Sequence, residues 1–406
     1  MTPTTTRDER GPARPPVAEG LEGVVAAATR LSHVDGEAGR LLLAGYALEE
    51  LAPRASYEEM AFLLWHDRLP DAGELAALRH RLAAHRALPP PVVALLRRAA
   101  EHRVAPMDAL RMAVAALDVD GGAAAEEGDD RLAAARRDAE RLVAAVPSIV
   151  AAYHRLRAGR EPVELDPDPE RGLVAAYLHQ LDGEPPSPGR ERALSTYLAT
   201  VCDHGLNAST FAARVVVSTG SDLVSAVAAA VGALKGPLHG GAPGPALDAV
   251  LEVGSAWDEG AEARAEALLA RRLDRGERLM GFGHRVYRVR DPRADVLAAA
   301  AEALFVDGGG DEGLYRLART VESVALRLLR ERKPGRRLDT NVEFYTALLL
   351  HGLGLPSELF TPTFAVGRVA GWTAHALEQI ATGRLIRPAA AYAGAEGRRW
   401  RPLAER

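Results

Sequence analysis

The segment SYEEMAFLLWHDRLP, residues 56–70, shows the type of fold that this chain of 406 residues adopts. Ser56 and Glu59 have the spacing of a capping box, in which each side chain accepts a hydrogen bond from the other residue's backbone N–H at the start of a helix. An apolar run from Met60 to Trp65 follows, and Pro70 lies just beyond it. The segment therefore predicts a buried α-helix with defined ends.

The composition that favours this helix extends along the whole chain. Ala, Leu, Arg and Glu are abundant while aromatic residues make up only 5%, so summed propensities favour helix almost throughout. Another helix is predicted to open at Thr361 and Pro362, as N-cap and first residue, and to close at Gly383. We therefore expect an all-α fold, and 48% hydrophobic residues are enough to form a large core.

Charge, cysteine content and hydropathy exclude several classes of protein. The formal charge is −5 and the 50 basic residues are spread along the chain, which argues against a nucleic-acid-binding surface and favours small-molecule partners. A lone Cys202 allows no disulfide framework and fits a buried thiol in a reducing compartment. Residues 1–18 are predicted to form a disordered tail without a signal sequence, and Leu223–Leu234 is too short to span a membrane, so we expect a cytoplasmic protein.

Three segments place a histidine or a carboxylate among helix breakers. In LKGPLHGGAPG, residues 234–244, His239 stands between Pro237 and a glycine pair that allows a ligand to approach the backbone closely. The alternative interpretation is a turn between helices with an exposed histidine. The motif becomes informative only together with the other two segments.

The second segment, LMGFGHRVYRVRDPRA, spans residues 279–294 and contains His284 between glycines and a predicted helix start. Asp291 and Pro292 have the pattern of an N-cap and a first helical residue, and Arg293 follows. The N–H groups at a helix start attract anions, and an arginine there can bind a carboxylate through two hydrogen bonds. Simple capping by Asp291 and Arg293 is the alternative, but it leaves the glycines around His284 unexplained.

The third segment, RRLDTNVEFYTALLL, spans residues 336–350 and places Glu343 in the first turn of an apolar helix. On the next predicted helix, Arg368, Trp372 and His375 lie on one face, and Gly367 and Gly371 allow a close helix crossing. The alternative interpretation is a helix that packs in the core and whose polar side chains have ordinary hydrogen-bond partners.

Together these motifs resemble the citrate synthase family, including its 2-methylcitrate synthase members. The resemblance begins near Gly20, covers nearly everything after the tail in one order, and includes DHGLN (203–207), GPLHGG (236–241), GFGHRVY (281–287), DPRA (291–294), NVEFY (341–345), FAVGRVAGWTAH (364–375) and IRPAAAY (386–392). It implies a large helical domain, residues 19–240 and 355–406, and a smaller helical domain, residues 241–354, that closes over the substrates. It also implies a homodimer.

The resemblance implies the condensation of acetyl-CoA with oxaloacetate and water to give citrate and CoA, without a metal or a permanently bound cofactor. Such chemistry needs a base for the methyl group, a donor for the enolate oxygen and an acid for the acceptor ketone. By family resemblance these groups are Glu343, His239 and His284 respectively.

The resemblance also implies a set of binding residues. The dicarboxylate would be bound by His204, Arg293 and Arg368, together with Arg387 of the other subunit. The CoA contacts would be Arg288 and Arg336, although single arginines carry little weight in a chain whose cations are nearly all arginine.

One departure concerns the base, because Glu343 stands where most of the family has aspartate. The additional methylene moves the carboxylate by about an ångström, and displacements of that size can lower rates ~10²-fold. We expect Glu343 to remain the base.

Three alternatives stay open. Propionyl-CoA could replace acetyl-CoA, because one methylene in an apolar pocket is worth only about 1–3 kcal/mol. A catalytically weak homologue that senses CoA or a dicarboxylate is the second. In the third, His239, His284 and Glu343 bind a hydrolytic metal ion, but their wide separation and the absence of an H-E-x-x-H motif argue against it.

Overall fold

A computed structural model describes residues 18–119, 130–165, 168–240, 243–284, 286–307 and 310–406. All but the last residue of the predicted N-terminal tail lie outside this part of the chain. The prediction of a mostly helical fold is confirmed. The α-helices of the described residues are α1 (Leu48–Leu51), α2 (Tyr57–His66), α3 (Ala72–Ala84), α4 (Pro90–Glu101), α5 (Pro106–Ala115), α6 (Arg131–Arg157), α7 (Leu173–Asp182), α8 (Pro188–Val201), α9 (Ala208–Ser218), α10 (Leu223–Leu234), α11 (Pro243–Val253), α12 (Ala261–Asp274), α13 (Pro292–Glu302), α14 (Glu312–Arg332), α15 (Val342–Gly352) and α16 (Phe360–Thr382).

Local sequence signals account for several helix ends. Both hydrogen bonds of the capping box between Ser56 and Glu59 are present at the start of α2. The Asp291 side chain caps α13, whose first residue is Pro292, as predicted. Within the described ranges, no helix is both long and apolar enough to cross a bilayer.

The predicted start of α16 is wrong. A 3₁₀ turn, Ser357–Leu359, runs directly into the helix, which begins at Phe360 without a side-chain cap. The Thr361 hydroxyl instead donates a hydrogen bond of 2.8 Å to the carbonyl of Gly240, beside His239. The helix ends at Thr382, immediately before Gly383 as expected.

Helix α16 is the central element of the core. It packs against α2, α6, α8, α9 and α10, and it is buried along most of its length. Gly367 and Gly371 allow the close approach that was predicted, because a Cβ atom at Gly371 would lie 2.2 Å from the carbonyl oxygen of Cys202. The Cys202 thiol is buried, as expected.

Helices α11 to α15 pack against one another, and α13 also packs against α8. The backbone segments that precede α13 and α15 are joined by an antiparallel β-bridge between Phe282 and Thr340. This pairing brings the segment that contains His284 beside the N-terminus of the helix that contains Glu343.

A small antiparallel sheet, which the composition did not predict, precedes the helices. Its strands are β1 (Ser32–Asp35), β2 (Arg40–Leu43) and β3 (Tyr46–Ala47). The turn between β1 and β2 packs against the loop after His284, where the Arg288 N–H donates to the Gly36 carbonyl at 2.8 Å. The hairpin therefore supports that loop from outside.

Candidate active site

Six of the nine predicted site residues line one cavity of about 610 Å³. They come from five regions of the chain: the loop before α9, the loop after α10, the segment between α12 and α13 with the first turn of α13, helix α15 and helix α16. Apolar residues complete the wall. The six residues are His204, His239, His284, Arg293, Glu343 and Arg368.

The protonated nitrogen of His284 is defined by its own loop. The backbone N–H groups of Val286 and Tyr287 donate to Nδ1 at 3.0 and 3.1 Å, so this nitrogen must be unprotonated. The proton then resides on Nε2; a terminal nitrogen of Arg293 lies 3.4 Å away, and because both groups are donors this contact is not a hydrogen bond. Burial, reinforced by the charge of Arg293, lowers the pKa of His284 to about 4. At neutral pH His284 is a neutral hydrogen-bond donor.

Arg293 is oriented by a carboxylate in the same turn. Its Nε and one terminal nitrogen donate to the two oxygens of Asp291 at 3.0 and 2.8 Å, in a pair that is almost fully buried. Asp291 also accepts the backbone N–H of Val342 at 3.3 Å. One carboxylate therefore connects the arginine of α13 to the start of α15.

His239 is held by the N-terminus of α9. The backbone N–H of Ser209 donates to its Nε2 at 3.3 Å, whereas the Ser209 hydroxyl, 2.8 Å from the same nitrogen, donates to Asn207 Oδ1 at 2.8 Å. Trp372 of α16 donates to that hydroxyl at 3.0 Å. Because Nε2 accepts, Nδ1 carries the proton. Burial is the main cause that lowers the pKa of His239 to about 4, so it too is neutral.

Glu343 lies at the second position of α15. Asn341 caps this helix, because its side-chain oxygen accepts a hydrogen bond of 3.0 Å from the backbone N–H of Glu343. The Asn341 side-chain amide also donates to the Gly283 carbonyl at 2.7 Å, next to His284. In the described part of the chain, no donor reaches the buried Oε2 of Glu343. Burial raises the pKa of Glu343 to about 7, against the opposing charges of Arg293 and Arg368.

Arg368 and His204 complete the polar wall. The Arg368 Nε donates to the Val201 carbonyl at 2.6 Å, while no acceptor in the described ranges contacts its terminal nitrogens. Burial lowers the pKa of Arg368 to about 10, which leaves it charged at neutral pH. His204 Nε2 lies 3.1 Å from the Tyr287 hydroxyl. Burial and the charges of the two cavity arginines hold the pKa of His204 far below its usual value.

The three remaining predicted residues do not line this cavity. Arg288 is exposed on the loop after His284, and Arg336 is an exposed residue beside a separate cavity of about 290 Å³, which Arg330 and Arg337 also line. Arg387 is exposed on an extended C-terminal segment. Their predicted roles concern CoA and a second subunit, and these roles stay predictions.

Several supporting residues escaped the sequence analysis. Ser209, Asn341 and Tyr287 all contact predicted site residues. Asn341 has a local signal, because an Asn directly before a helical run is a frequent N-cap. Ser209 and Tyr287 have none, because their partners are distant along the chain.

Known proteins resemble this chain along nearly all of its length. The family model described as "Citrate synthase, C-terminal domain" matches residues 20–389. The citrate synthase of Haloferax volcanii is 44% identical, over 95% of this chain and 98% of its own. A 2-methylcitrate synthase of Shewanella oneidensis is 37% identical, over 95% and 97%.

A solved structure has the same fold. It is the citrate synthase of Thermoplasma acidophilum in a ternary complex with carboxymethyl coenzyme A and oxaloacetate. The TM-score is 0.81 at 29% identity, and the alignment covers 96% of this chain and all of that one. Because the family model matches most of the chain and these relatives align over nearly its whole length, the chain belongs to the citrate synthase family.

Proposed function

We propose that this chain is a citrate synthase, which condenses acetyl-CoA with oxaloacetate and water to give citrate and CoA. One observation carries the proposal. A carboxylate with a pKa of about 7, Glu343, shares a cavity with two neutral histidines, His239 and His284. This is the combination of base and hydrogen-bond donors that forming an enolate from a thioester needs.

In the first step, Glu343 removes a proton from the methyl group of acetyl-CoA. Its raised pKa leaves it substantially ionised at neutral pH yet more basic than an ordinary carboxylate. The enolate oxygen that develops accepts a hydrogen bond from Nδ1 of His239. A neutral imidazole whose other nitrogen is held by Ser209 presents this proton in a fixed direction.

In the second step, the enolate carbon attacks the ketone carbon of oxaloacetate. Nε2 of His284 donates to the ketone oxygen, and its proton passes to that oxygen as the new carbon–carbon bond forms; the proton that Glu343 took from the methyl group restores His284 before the next turnover. The neighbouring Arg293 stabilises the negative charge that develops there. Water then cleaves the thioester, which releases citrate and CoA and balances the reaction.

The two carboxylates of oxaloacetate need cationic partners. Arg293 and Arg368 supply two positive charges within the cavity, and the ring of His204 lies 5.9 Å from that of His284 between their centroids. In the proposal, Arg387 of a second subunit adds a third charge. The chain would therefore act as a homodimer, which we place in the cytoplasm.

CoA would bind at the mouth of the cavity, with Arg288 and Arg336 near its phosphates. Residues 241–354 would form a small domain that closes on a large domain of residues 19–240 and 355–406. The catalytic groups come from both parts, so closure would complete the site and exclude water from the thioester until condensation is over.

Thiol release tests the proposal directly. We expect release from acetyl-CoA that depends on oxaloacetate, with citrate as the product. A higher kcat/KM with propionyl-CoA would instead assign 2-methylcitrate synthase activity, as named for the Shewanella relative. If neither thioester released thiol with oxaloacetate present, the enzyme assignment would be wrong and a sensor role would replace it.

A further inference from the structure

Helix α14 contains a buried carboxylate, Glu322, that the proposed reaction does not use. This residue is only 4% exposed and does not line the site cavity. Four side chains donate hydrogen bonds to it: Thr340 at 2.6 Å and Arg290 at 2.8 Å to Oε1, and Tyr345 at 2.5 Å and Arg319 at 3.1 Å to Oε2. A carboxylate has about four acceptor positions, so the hydrogen-bonding capacity of Glu322 is fully used.

The four donors keep Glu322 ionised and rigid. Burial alone would raise the pKa of Glu322, but the hydrogen bonds, chiefly those of Thr340 and Tyr345, outweigh burial and lower it. A buried polar network whose members are all satisfied makes the surrounding elements rigid. Buried ion pairs contribute little net stability compared with apolar packing, so the network is better explained by the geometry that it fixes.

The two donors to Oε1 of Glu322 belong to the two segments that present site residues. Arg290 lies between His284 and the start of α13. Thr340 lies three residues before Glu343, at the start of α15. Both donate to the same oxygen atom. This single atom therefore joins the segment of the proposed ketone donor to the segment of the proposed base.

The backbone of Thr340 joins the same two segments. Thr340 forms the β-bridge with Phe282, and its carbonyl accepts the N–H of Asp291 at 3.3 Å. The neighbouring N–H of Asn341 donates to the carbonyl of Gly281 at 2.9 Å. The Thr340 hydroxyl connects this junction to α14, because its acceptor is the buried carboxylate of that helix.

The proposed reaction depends on the distance between the two groups that this junction presents. The methyl group that Glu343 deprotonates must face the ketone that His284 binds, and a displacement of about an ångström can lower a rate ~10²-fold. We propose that Glu322 is a positioning residue: by holding both segments on one carboxylate oxygen, it sets the distance between Glu343 and His284. This inference rests on the proposed function, in which Glu343 is the base.

Thr340→Val tests the proposal, because it removes the hydroxyl at nearly constant volume. We expect kcat to fall about tenfold while the KM for oxaloacetate stays within about twofold, since the base moves but the cavity arginines keep their contacts. The ratio of kcat with ordinary acetyl-CoA to kcat with acetyl-CoA deuterated at the methyl group should rise, because proton removal becomes the slow step. A smaller folded fraction would lower kcat without changing this ratio.

Two matched variants separate positioning from folding. Thr340→Ser keeps the hydroxyl and should keep kcat within about twofold of the unmodified chain. Arg319→Ala removes another donor to the same carboxylate, but one that lies on α14 itself, so kcat should again change by less than about twofold. If Glu322 served only the stability of the fold, losing this charged donor should matter as much as losing the Thr340 hydroxyl.

The possible failures can be told apart. Equal falls of kcat in Thr340→Val and Arg319→Ala, or an unchanged isotope ratio in Thr340→Val, would overturn the positioning role of Glu322. Circular dichroism during heating identifies an assay temperature at which all variants are folded. Absence of oxaloacetate-dependent thiol release in the unmodified chain would refute the proposed function. An active unmodified chain whose Thr340→Val variant keeps its kcat would refute only the present inference.

Discussion

The unprotonated nitrogen of His239 faces Ser209, whose backbone N–H and hydroxyl lie 3.3 and 2.8 Å from it. The proton of the imidazole is thereby directed away from α9. The orientation of the proposed enolate donor thus depends on a residue that takes no part in the chemistry.

Ser209→Ala should lower kcat by about tenfold, because the ring loses one of two groups that fix its direction. The variant also leaves the indole N–H of Trp372 without its acceptor, which should destabilise the fold by about 1–3 kcal/mol. Steady-state kinetics and urea unfolding measure the two effects. Ser225→Ala, at an exposed serine in the first turn of α10, is the control. If kcat of Ser209→Ala matched that of the control, Ser209 would have no part in orienting His239.

Glu343→Gln should lower kcat by about 10²–10⁴-fold, because the amide cannot accept the methyl proton. In the unmodified chain, the base must be ionised and its pKa is about 7, so kcat/KM for acetyl-CoA should fall as pH drops below 7. A pH–rate profile between pH 5 and 9 measures this. Turnover of the glutamine variant at the unmodified rate would show that another residue is the base.

Glu343→Gln should raise the free energy of unfolding although it lowers kcat. The pKa of Glu343 is higher in the folded chain than in the unfolded one, so the folded state binds the proton more tightly and its ionised form destabilises the fold. This destabilisation is present above pH 7 and absent below the unfolded pKa. Glu343→Gln should therefore gain about 3 kcal/mol of unfolding free energy at pH 8.5 and almost none at pH 4.5. An equal gain at both pH values would mean that packing, not charge, is responsible.

Features that depend on neighbouring residues were predictable from the sequence. The capping box of Ser56 and Glu59 and the N-cap at Asp291 involve only a few consecutive residues, so the pattern is sufficient. The motifs also identified the six side chains that share the cavity, through resemblance rather than through geometry. The structure was needed to establish which nitrogen of each histidine carries the proton.

Features that depend on packing were not predictable. The strands of the small sheet are too short for a periodic pattern, with only two residues in β3. Thr361 has the sequence of an N-cap, but the 3₁₀ turn before it extends the helix and its hydroxyl instead contacts Gly240. The contact of Arg368 with the Val201 carbonyl depends on how α16 crosses the end of α8.

Gly36→Ala should lower kcat/KM although Gly36 does not line the cavity. A Cβ atom there would lie 2.2 Å from the backbone oxygen of Val286, so the hairpin or the loop after His284 must move. A displacement of about an ångström at His284 should lower kcat/KM by roughly 10²-fold while the fold is retained. Gly189→Ala, where nothing lies within 4 Å of the added atom, should leave kcat/KM unchanged. Circular dichroism of both variants checks the fold, and normal kinetics for Gly36→Ala would contradict a supporting role for the hairpin.

Arg387 provides a test of the proposed dimer, because it lies on an exposed segment outside the cavity of its own chain. Arg387→Ala and Glu343→Gln should each be nearly inactive alone. If Arg387 acts in the partner's site, a dimer that combines the two variants has one site with both defects and one with neither. Mixing equal amounts under conditions that exchange subunits should then recover roughly a quarter of the unmodified activity. If Arg387 acts within its own subunit, every site in the mixture carries one defect and no activity returns. The same mixture kept under conditions that do not exchange subunits should stay inactive and is the control, and size-exclusion chromatography establishes that dimers form.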